Sequence, residues 1–517
     1  MGLWGYTRGH KEATSLIQHI EGTKNVTVNQ YDPLSYRNTM GEVNLGFNYD
    51  LNDENSIGAS YDLECEPYAK GHVDGQQEIF NEGQPVDIIK QKVLVDDIGG
   101  PTHELNAYYV GKVNKLGIDF NGTYLWQKTG RDMLETEEAT VLENREIHTA
   151  SRRHNQLFAG KLVLSYPIAK GQLELGSEVS HTHSSGEYSN AEGIVADAST
   201  DMKENNWAGF LAFSYPLGSF SMDAGLRYEY VSAKYYSFGK FEEEPSKKYS
   251  NWFPNLTLSW NKEPWAASLA YTCKTKRPSY SSLRNEVQYD NRYMYEGGDP
   301  YLRPTIAHDV SLDVMCNWIS FGVEYLYEDN PIIWYVTLYN HQDIAFLRNV
   351  NFSSKQTMTA YVIAAPKFDW YQPTWQVFFQ KPFFDAEKYG APRGLSKPAL
   401  GITWNNKFKL SSTWTSWVTL HANTTSYNAF RRYRSGYFAS MRMVKTFFDE
   451  ALTVNFYADD IFRSQKDQWT MYGDHATLTK DSYNSAREIG VRVVYKFNSG
   501  HRKYKGSGAG NAEKSRF

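Results

Sequence analysis

Apolar and polar residues alternate along most of this chain, in short segments that come in pairs. In residues 44–51 one face carries Leu45, Phe47, Tyr49 and Leu51, and the residues between them are polar or glycine. Residues 52–55, which are Asn and acidic residues, then lead into a second alternating segment at 56–63. A two-residue period on both sides of a polar turn is typical of a β-hairpin with one apolar face.

The same pattern recurs five more times before residue 330. It predicts hairpins from 104–113 with 116–125, 156–166 with 172–180, 207–215 with 220–230, 255–260 with 265–272, and 309–316 with 319–327. The remainder is less regular and predicts strands at 332–339, 344–351, 356–364, 375–383, 399–410, 414–425, 437–447, 451–461, 468–479 and 488–497. The total is about 22 strands, within the range of outer-membrane barrels.

The connections between segments alternate in length. Turns within a hairpin are short, whereas the stretches from Leu63 to Glu104 and from Leu125 to Gln156 are long. Long connections on one rim and short turns on the other are typical of an outer-membrane barrel. We therefore predict an all-β fold, a transmembrane antiparallel up-and-down β-barrel. A soluble multi-sheet interaction protein is the weaker alternative. Nothing in such a fold requires long connections at one end of the strands and short turns at the other.

Composition agrees with a membrane protein that spans with strands. Aromatic residues make up 15% and charged residues 22% of the chain, and no apolar run reaches the roughly 18 residues of a membrane-spanning helix. A spanning strand needs an apolar residue only at every second position, so outer-membrane lipid remains the expected partner. The net charge of -5, with Lys and Arg spread evenly, provides no basic stripe and excludes nucleic acid as a partner.

The chain is expected to divide into three parts. Residues 1–40 are a lead-in without a signal peptide or plug, because residues 1–25 contain His10, Lys11 and Glu12 where an export signal has an apolar core. Residues 41–498 form the barrel and residues 499–517 form a polar tail. The predicted location is the cell outer membrane, although the export signal is not present in this chain.

Candidate ligand-binding residues lie on the polar faces and in one connection. Asp223, Arg227 and Glu229 lie opposite the apolar face of 220–230, and charges that cannot face lipid must face the lumen. The favoured alternative is that they form salt bridges within the wall. Four tyrosines of one connection are further candidates for stacking on a sugar or an aromatic ligand, although the chain has 38 tyrosines: Tyr289, Tyr293, Tyr295 and Tyr301.

Enzymatic and metal sites are not predicted. His181 and His183 form an isolated pair without a third ligand at a reliable spacing. The sequence has no glycine-rich phosphate loop that runs from a strand into a helix, and no nucleophile elbow. We therefore expect no catalytic residues, no metal and no cofactor.

The connection between residues 274 and 305 carries the most distinctive motifs. Arg277-Pro278-Ser279-Tyr280 ends one strand, and the segment from Gly298 to Thr305 leads into the next. These motifs resemble the barrel of TonB-dependent receptors, specifically the outer membrane β-barrel protein family, in which a Gly-Asn-Pro-x-Leu-Lys-Pro-Glu type of segment is typical. The matching structural positions are Arg277, Pro278, Gly298, Asp299, Pro300, Leu302 and Pro304. Asp299, Arg303 and Thr305 depart from the family pattern, whereas residues 452–462 and the polar ending 504–517 also resemble the family.

The resemblance implies the barrel portion of a receptor that takes up a ligand, such as a siderophore, a glycan or a peptide. It also implies a plug domain inside the barrel and a TonB-type energising protein as partners, with a surface lipoprotein as an optional one. Residues 1–40 are too few to form a plug, and a barrel of this width needs one to prevent leakage. A plugless outer-membrane pore or surface-binding barrel is therefore the alternative function.

Overall fold

The computed structural model describes residues 2–484, 486–496 and 505–517, with side chains from residue 12 onward. The first eleven strands are β1 (Gly2–Glu21), β2 (Asn25–Asn52), β3 (Asn55–Asn81), β4 (Gln84–Val113), β5 (Leu116–Ala139), β6 (Arg145–Ile168), β7 (Gly171–Asn190), β8 (Ala198–Leu217), β9 (Phe220–Ser237), β10 (Lys240–Lys262) and β11 (Trp265–Lys276).

The remaining elements are mostly shorter. They are β12 (Val287–Asn291), β13 (Met294–Gly297), β14 (Thr305–Cys316), β15 (Ile319–Asp329), β16 (Ile332–Leu338), β17 (Ala345–Asn351), β18 (Ser354–Ala364), β19 (Tyr371–Phe383), a 3-10 turn (Glu387–Tyr389), β20 (Ala399–Lys409), β21 (Trp414–Asn423), β22 (Ser426–Asn428), β23 (Arg431–Tyr433), β24 (Gly436–Phe447), β25 (Leu452–Asp459), β26 (Asp467–Tyr472), β27 (Ala476–Tyr483), β28 (Glu488–Tyr495) and the one-turn helix α1 (Asn511–Lys514).

The described residues form one 24-stranded sheet and a separate four-stranded sheet. In the large sheet consecutive strands pair in antiparallel fashion, as between β4 and β5 or β14 and β15. β1 pairs with β2 on one side and with β27 on the other, which places the last strands beside the first. This pairing joins the two ends of the sheet over residues 13–20 of β1, as closure into a barrel requires. The predicted antiparallel up-and-down barrel is confirmed, with a strand count close to the predicted one.

The outer surface of the barrel carries the apolar faces that the alternation predicts. Leu45, Phe47, Tyr49 and Leu51 are 52–60% exposed although they are apolar or aromatic. Other strands expose the equivalent face, with Leu105, Phe120, Phe158, Leu175, Trp207, Leu211, Leu269 and Val377. An apolar belt of this extent needs lipid rather than water around it. Among the described residues no helix combines the length and apolar character needed to cross a bilayer.

The long connections expected after residues 63 and 125 are mostly strand. β3 continues to Asn81 and β4 begins at Gln84, and the turn residues Glu82 and Gly83 have φ values of 49° and 76°. Two consecutive positive φ values define the type I′ turn, which matches the twist of the flanking strands. The prediction of long loops here was wrong, because a strand that extends beyond the lipid no longer needs an apolar outer face.

Residues 2–40 lie in the wall rather than ahead of it. β1 and the first part of β2 pair along their length, with Ile20 opposite Val26. Ile20, Val26 and Val28 are at most 7% exposed because they face the barrel interior. The apolar face is therefore inside at this end of the barrel, the reverse of the lipid belt, which is why the outward-facing pattern did not identify these strands.

The segments predicted as barrel strands at 332–339 and 344–351 are strands, but they do not belong to the wall. β16 and β17 form the four-stranded sheet with β12 and β13, and β13 pairs in parallel with β17. We call these four strands the loop sheet, since they lie within two connections of the barrel. The predicted boundary at 498/499 lies outside the described residues.

The loop sheet lies inside the barrel and reaches opposite parts of its wall. Asn291 donates a hydrogen bond to Gln30 of β2 at 2.8 Å, and Arg292 pairs with Glu137 of β5. Lys247 of β10 donates to the carbonyl oxygen of Pro300, at 3.1 Å, in the same connection. Val336 and Leu347 pack with Val28 and Ile89 of the wall in one buried apolar cluster. The loop sheet therefore fills one end of the lumen.

Candidate functional site

The charged residues predicted to face the lumen meet the Pro-rich connection there. Arg227 donates to Glu229 at 2.6 Å and to Glu178 of β7 at 3.0 Å. Arg277 pairs with the second oxygen of Glu229, and its side chain is only 4% exposed. Asp223 lies nearer the short turn of β9 and is exposed. Two of the three predicted lumenal residues thus belong to a buried ion-pair network, as the wall-bracing alternative expects.

The segment 505–517 enters the same network. Glu513 accepts hydrogen bonds from Arg277 and from Asn206, both at 2.9 Å. Arg516 pairs with Glu204 of β8, and both side chains are 6% exposed. These contacts join residues far apart in sequence, because the end of the described chain folds back into the barrel.

A cavity of about 800 Å³ lies between this network, the loop sheet and the segment 505–517. Its charged lining residues are Lys161, Glu178, Arg227, Glu229, Lys274, Lys276, Arg277 and Arg516. Glu178 and Glu229 are bound by arginines, so the lysines leave a surplus of positive charge. The cavity is of a size and polarity suited to a small anionic molecule.

A second cavity, of about 670 Å³, lies between the loop sheet and strands β2 to β6 and has the opposite character. Its carboxylates belong to Asp32, Glu66, Asp97, Glu135, Asp290 and Glu296, and its basic residues are Arg131 and Arg153. Burial, with the negative charges of Glu296 and Asp32, raises the pKa of Asp290 to about 8. Burial also raises the pKa of Glu296. This second chamber is therefore lined mainly by carboxyl groups, in contrast to the lysines and arginines of the first cavity.

Three of the four candidate tyrosines are parts of the loop sheet's packing. Tyr289 is 2% and Tyr295 5% exposed, and their ring centroids are 5.7 Å apart. The Tyr289 hydroxyl donates to Glu137 at 2.7 Å. Tyr293 is partly buried against the main apolar cluster. Tyr301 is 55% exposed, so it alone of the four presents an open ring face to a ligand.

The residues that carry the family resemblance build a tight turn. A Cβ on Gly298 would lie 2.2 Å from the Arg284 carbonyl oxygen, so only glycine fits. The Asp299 N–H donates to the Ser282 carbonyl at 2.7 Å, and its carboxylate accepts from the Tyr301 N–H at 2.9 Å. Pro278, Pro300, Leu302 and Pro304 surround Tyr280. The motif therefore fixes the course of the connection through the lumen.

Sequence reasoning did not identify the lumenal position of 505–517, the acidic chamber or the residues Glu137, Glu204 and Arg516. Glycines and alternating charges in 505–517 are compatible with a solvated tail. Glu137 and Glu204 lie on strand extensions that were predicted to be loops. Only the long-range pairing in the fold brings these residues together.

The sequence profile of a family described as the outer membrane protein beta-barrel family matches residues 111–495. None of the curated proteins has a sequence that matches this chain. Among solved structures, the copper transporter OprC is 10% identical with a TM-score of 0.56, over 93% of this chain and 81% of that chain. FpvA of P. aeruginosa bound to heterologous pyoverdines is 9% identical with a TM-score of 0.54, over 92% and 71% of the two chains. At this identity the structures show a shared fold alone.

Proposed function

The chain belongs to the outer membrane protein beta-barrel family, and on this premise we propose that it is the barrel of an outer-membrane receptor that takes up a small anionic ligand. The observation that carries the proposal is the lumenal cavity of about 800 Å³ with its surplus of lysines. Sites for small molecules are enclosed, of roughly 300–1,000 Å³, with a few convergent polar groups. The role requires binding and passage and no catalytic group.

The structural neighbours agree with this class of function. One neighbour is a copper transporter and another holds pyoverdines. By analogy we propose that the ligand is a siderophore-like metal chelate, with an acidic glycan or an acidic peptide as the other members of the class. In this proposal a plug domain and a TonB-type energising protein complete the machinery, and a surface lipoprotein is an optional partner at the loop rim.

Lys274 and Lys276 provide the test, because both belong to the cavity and neither takes part in the buried ion-pair network. In the double variant Lys274→Gln/Lys276→Gln, we expect the affinity for ferric citrate, a polyanion of suitable size, to fall about tenfold or more. The matched control is Lys115→Gln/Lys170→Gln, which changes two exposed lysines of the short turns. Binding to the purified protein is measured by equilibrium dialysis with labelled iron.

A panel of ferric citrate, a neutral ferric hydroxamate and a neutral disaccharide should show preference for the anion. Equal retention of all three, or equal affinity in the lysine variant and its control, means that the cavity does not select an anion. A large, stable current through the unmodified chain in a planar bilayer would instead favour the passive pore.

A further inference from the structure

We infer that the barrel lumen contains a peptide-binding site whose resident ligand is the chain's own segment 505–517, here called the tail segment. The inference rests on the contacts of this segment with the wall and does not depend on uptake of any other ligand. It assigns a function to wall residues Asn121, Thr123 and Glu204, which lie outside the lining of the proposed ligand cavity.

The wall recognises the backbone of the tail segment. The Asn121 side-chain oxygen accepts from the N–H groups of Ser507 and Gly508 at 2.9 and 3.2 Å. Thr123 accepts from the Ala509 N–H at 2.9 Å, and Glu178 accepts from the Gly510 N–H at 3.0 Å. Four successive amides are thus bound by side chains that project into the lumen. Buried backbone N–H groups need acceptors, and here side chains of the wall supply them.

The glycines of the tail segment are required by this path. Gly508 and Gly510 have φ values of 70° and 66°, a region that glycine adopts without strain. A Cβ on Gly510 would lie 2.7 Å from the Cβ of Ala159 on β6. The backbone therefore approaches the wall more closely than any other residue at 510 allows.

One buried and one partly exposed ion pair then fix the part of the segment that follows. Glu513, 3% exposed in its side chain, bonds to Arg277 as described above, and Lys514 contacts Glu104 at 2.7 Å. Ion pairs removed from water are favourable only when further hydrogen bonds satisfy both partners. Asn206 supplies that bond to Glu513 at 2.9 Å.

Arg516 contacts Glu204 of β8 and both Pro278 and Tyr280 of the Pro-rich connection. It forms two hydrogen bonds with Glu204, one of them at 3.1 Å, and a third with the Pro278 carbonyl at 3.0 Å. Its guanidinium lies 4.1 Å from the ring centroid of Tyr280. Phe517 stacks on the same ring, with centroids 5.4 Å apart. The backbone N–H of Tyr280 donates a hydrogen bond to the Arg516 carbonyl oxygen at 3.0 Å.

The docked segment separates two spaces in the lumen. Asn511, Ala512 and Ser515 line the 800 Å³ cavity beside the loop sheet. Gly506, Ser507 and Lys514 line another cavity, of about 540 Å³, which extends to Asn48 and Asp62 near the short turns. The tail segment therefore lies between the ligand cavity and the short-turn side, and we expect a molecule that passes between them to displace it.

The first test uses the full chain and reports whether the segment is docked. The variant Ala509→Cys places a thiol at a position that is 1% exposed, in a background in which Cys65, Cys273 and Cys316 are changed to Ala. A charged maleimide should label this thiol slowly. Glu204→Gln removes the charge that binds Arg516 and should raise the labelling rate about tenfold or more. The control Glu187→Gln changes an exposed carboxylate of the neighbouring strand and should leave the rate unchanged.

The second test supplies the segment from outside. A chain without residues 505–517 should conduct in a planar bilayer more than the full chain, and a synthetic peptide of residues 505–517 should block that current saturably. The same peptide with Arg516→Gln should block at least tenfold less well. Fast labelling of the Ala509→Cys chain while Glu204 is intact, or equal block by both peptides, overturns the inference. If the shortened chain does not assemble, the labelling experiment decides alone.

Discussion

The buried pair of Arg292 and Glu137 makes the attachment of the loop sheet to the wall testable. Glu137 is fully buried on β5, and Arg292, 5% exposed, comes from the turn between β12 and β13. In the unmodified chain the Tyr289 hydroxyl donates to a Glu137 carboxylate oxygen at 2.7 Å. Glu137→Gln retains an acceptor for this hydroxyl but leaves the Arg292 guanidinium without its counter-charge. Removal of one partner of a buried pair costs about 3–5 kcal/mol. Arg292 keeps its bond to the Glu143 carbonyl, so we expect the lower end of that range.

A loss of about 3 kcal/mol corresponds to a roughly 100-fold rise in the opening equilibrium of the loop sheet. Amide hydrogen exchange of peptides that cover residues 287–297 measures this directly, because opening exposes amides of β12 and β13 that are paired in the closed state. Glu138→Gln is the matched control, since Glu138 is the next residue of β5 and is exposed. Unchanged protection of 287–297 in Glu137→Gln would refute the idea that this pair attaches the sheet, as would equal loss of protection in the control.

Two further predictions concern the acidic chamber and the lipid belt. Because the pKa of Asp290 is raised to about 8, the folded state holds its proton more tightly than the unfolded state. The loop sheet should therefore become less stable as the pH rises from about 4 to about 8, and hydrogen exchange of 287–297 in Asp290→Asn should lose part of this pH dependence, because Glu296 also has a raised pKa in the same sheet. Leu211, 49% exposed in the lipid belt, should not tolerate charge. Leu211→Lys should lower the free energy of unfolding from a bilayer by about 2–4 kcal/mol, whereas Ala212→Lys on the lumenal side should cost much less; urea titration in lipid vesicles distinguishes them.

The part of the fold that contacts lipid was predictable because lipid imposes a rule on every strand. Phe220, Leu226 and Tyr230 had to be apolar or amphipathic at alternate positions, and the structure exposes all three. The same rule assigned Arg227 and Glu229 to the lumen by exclusion, where they lie. Alternation of this kind is a local property and is readable without a structure.

The strand extensions and the loop sheet were not predictable by that rule. Beyond the lipid the outer face of a strand meets water, so Lys90 and Lys92 of β4 are as acceptable there as leucine. The segments at 332–339 and 344–351 have strand periodicity, but pairing partners decide which sheet they join. β17 pairs in parallel with β13, a strand of only four residues. No local pattern encodes such a pairing.

The sequence identified individual residues of the candidate site, but it did not show that they lie close together. Arg277 stood out through the family motif and Arg227 through its face of β9, yet nothing in the sequence connects them to Glu513. That link spans 236 residues and depends on the return of the tail segment into the lumen. Charges in a glycine-rich ending are compatible equally with a solvated tail, and only the register of the wall distinguishes the two.

The two occupants of the lumen differ in what holds them, and this sets the order in which they are expected to move. The loop sheet shares an apolar cluster with the wall, in which Val336, Leu347 and Phe352 pack against Val28 and Ile89. The tail segment is held mainly by hydrogen bonds and by the pairs Glu513–Arg277 and Arg516–Glu204, with one aromatic stack. The free energy of apolar burial changes little with moderate salt. The attraction within an ion pair, in contrast, is weakened by salt and by hydration as soon as water reaches the pair. Under the proposed function, a polyanion in the adjacent cavity would also compete with Glu513 and Glu204 for Arg277 and Arg516. We therefore expect an anionic ligand to displace the tail segment before the loop sheet moves.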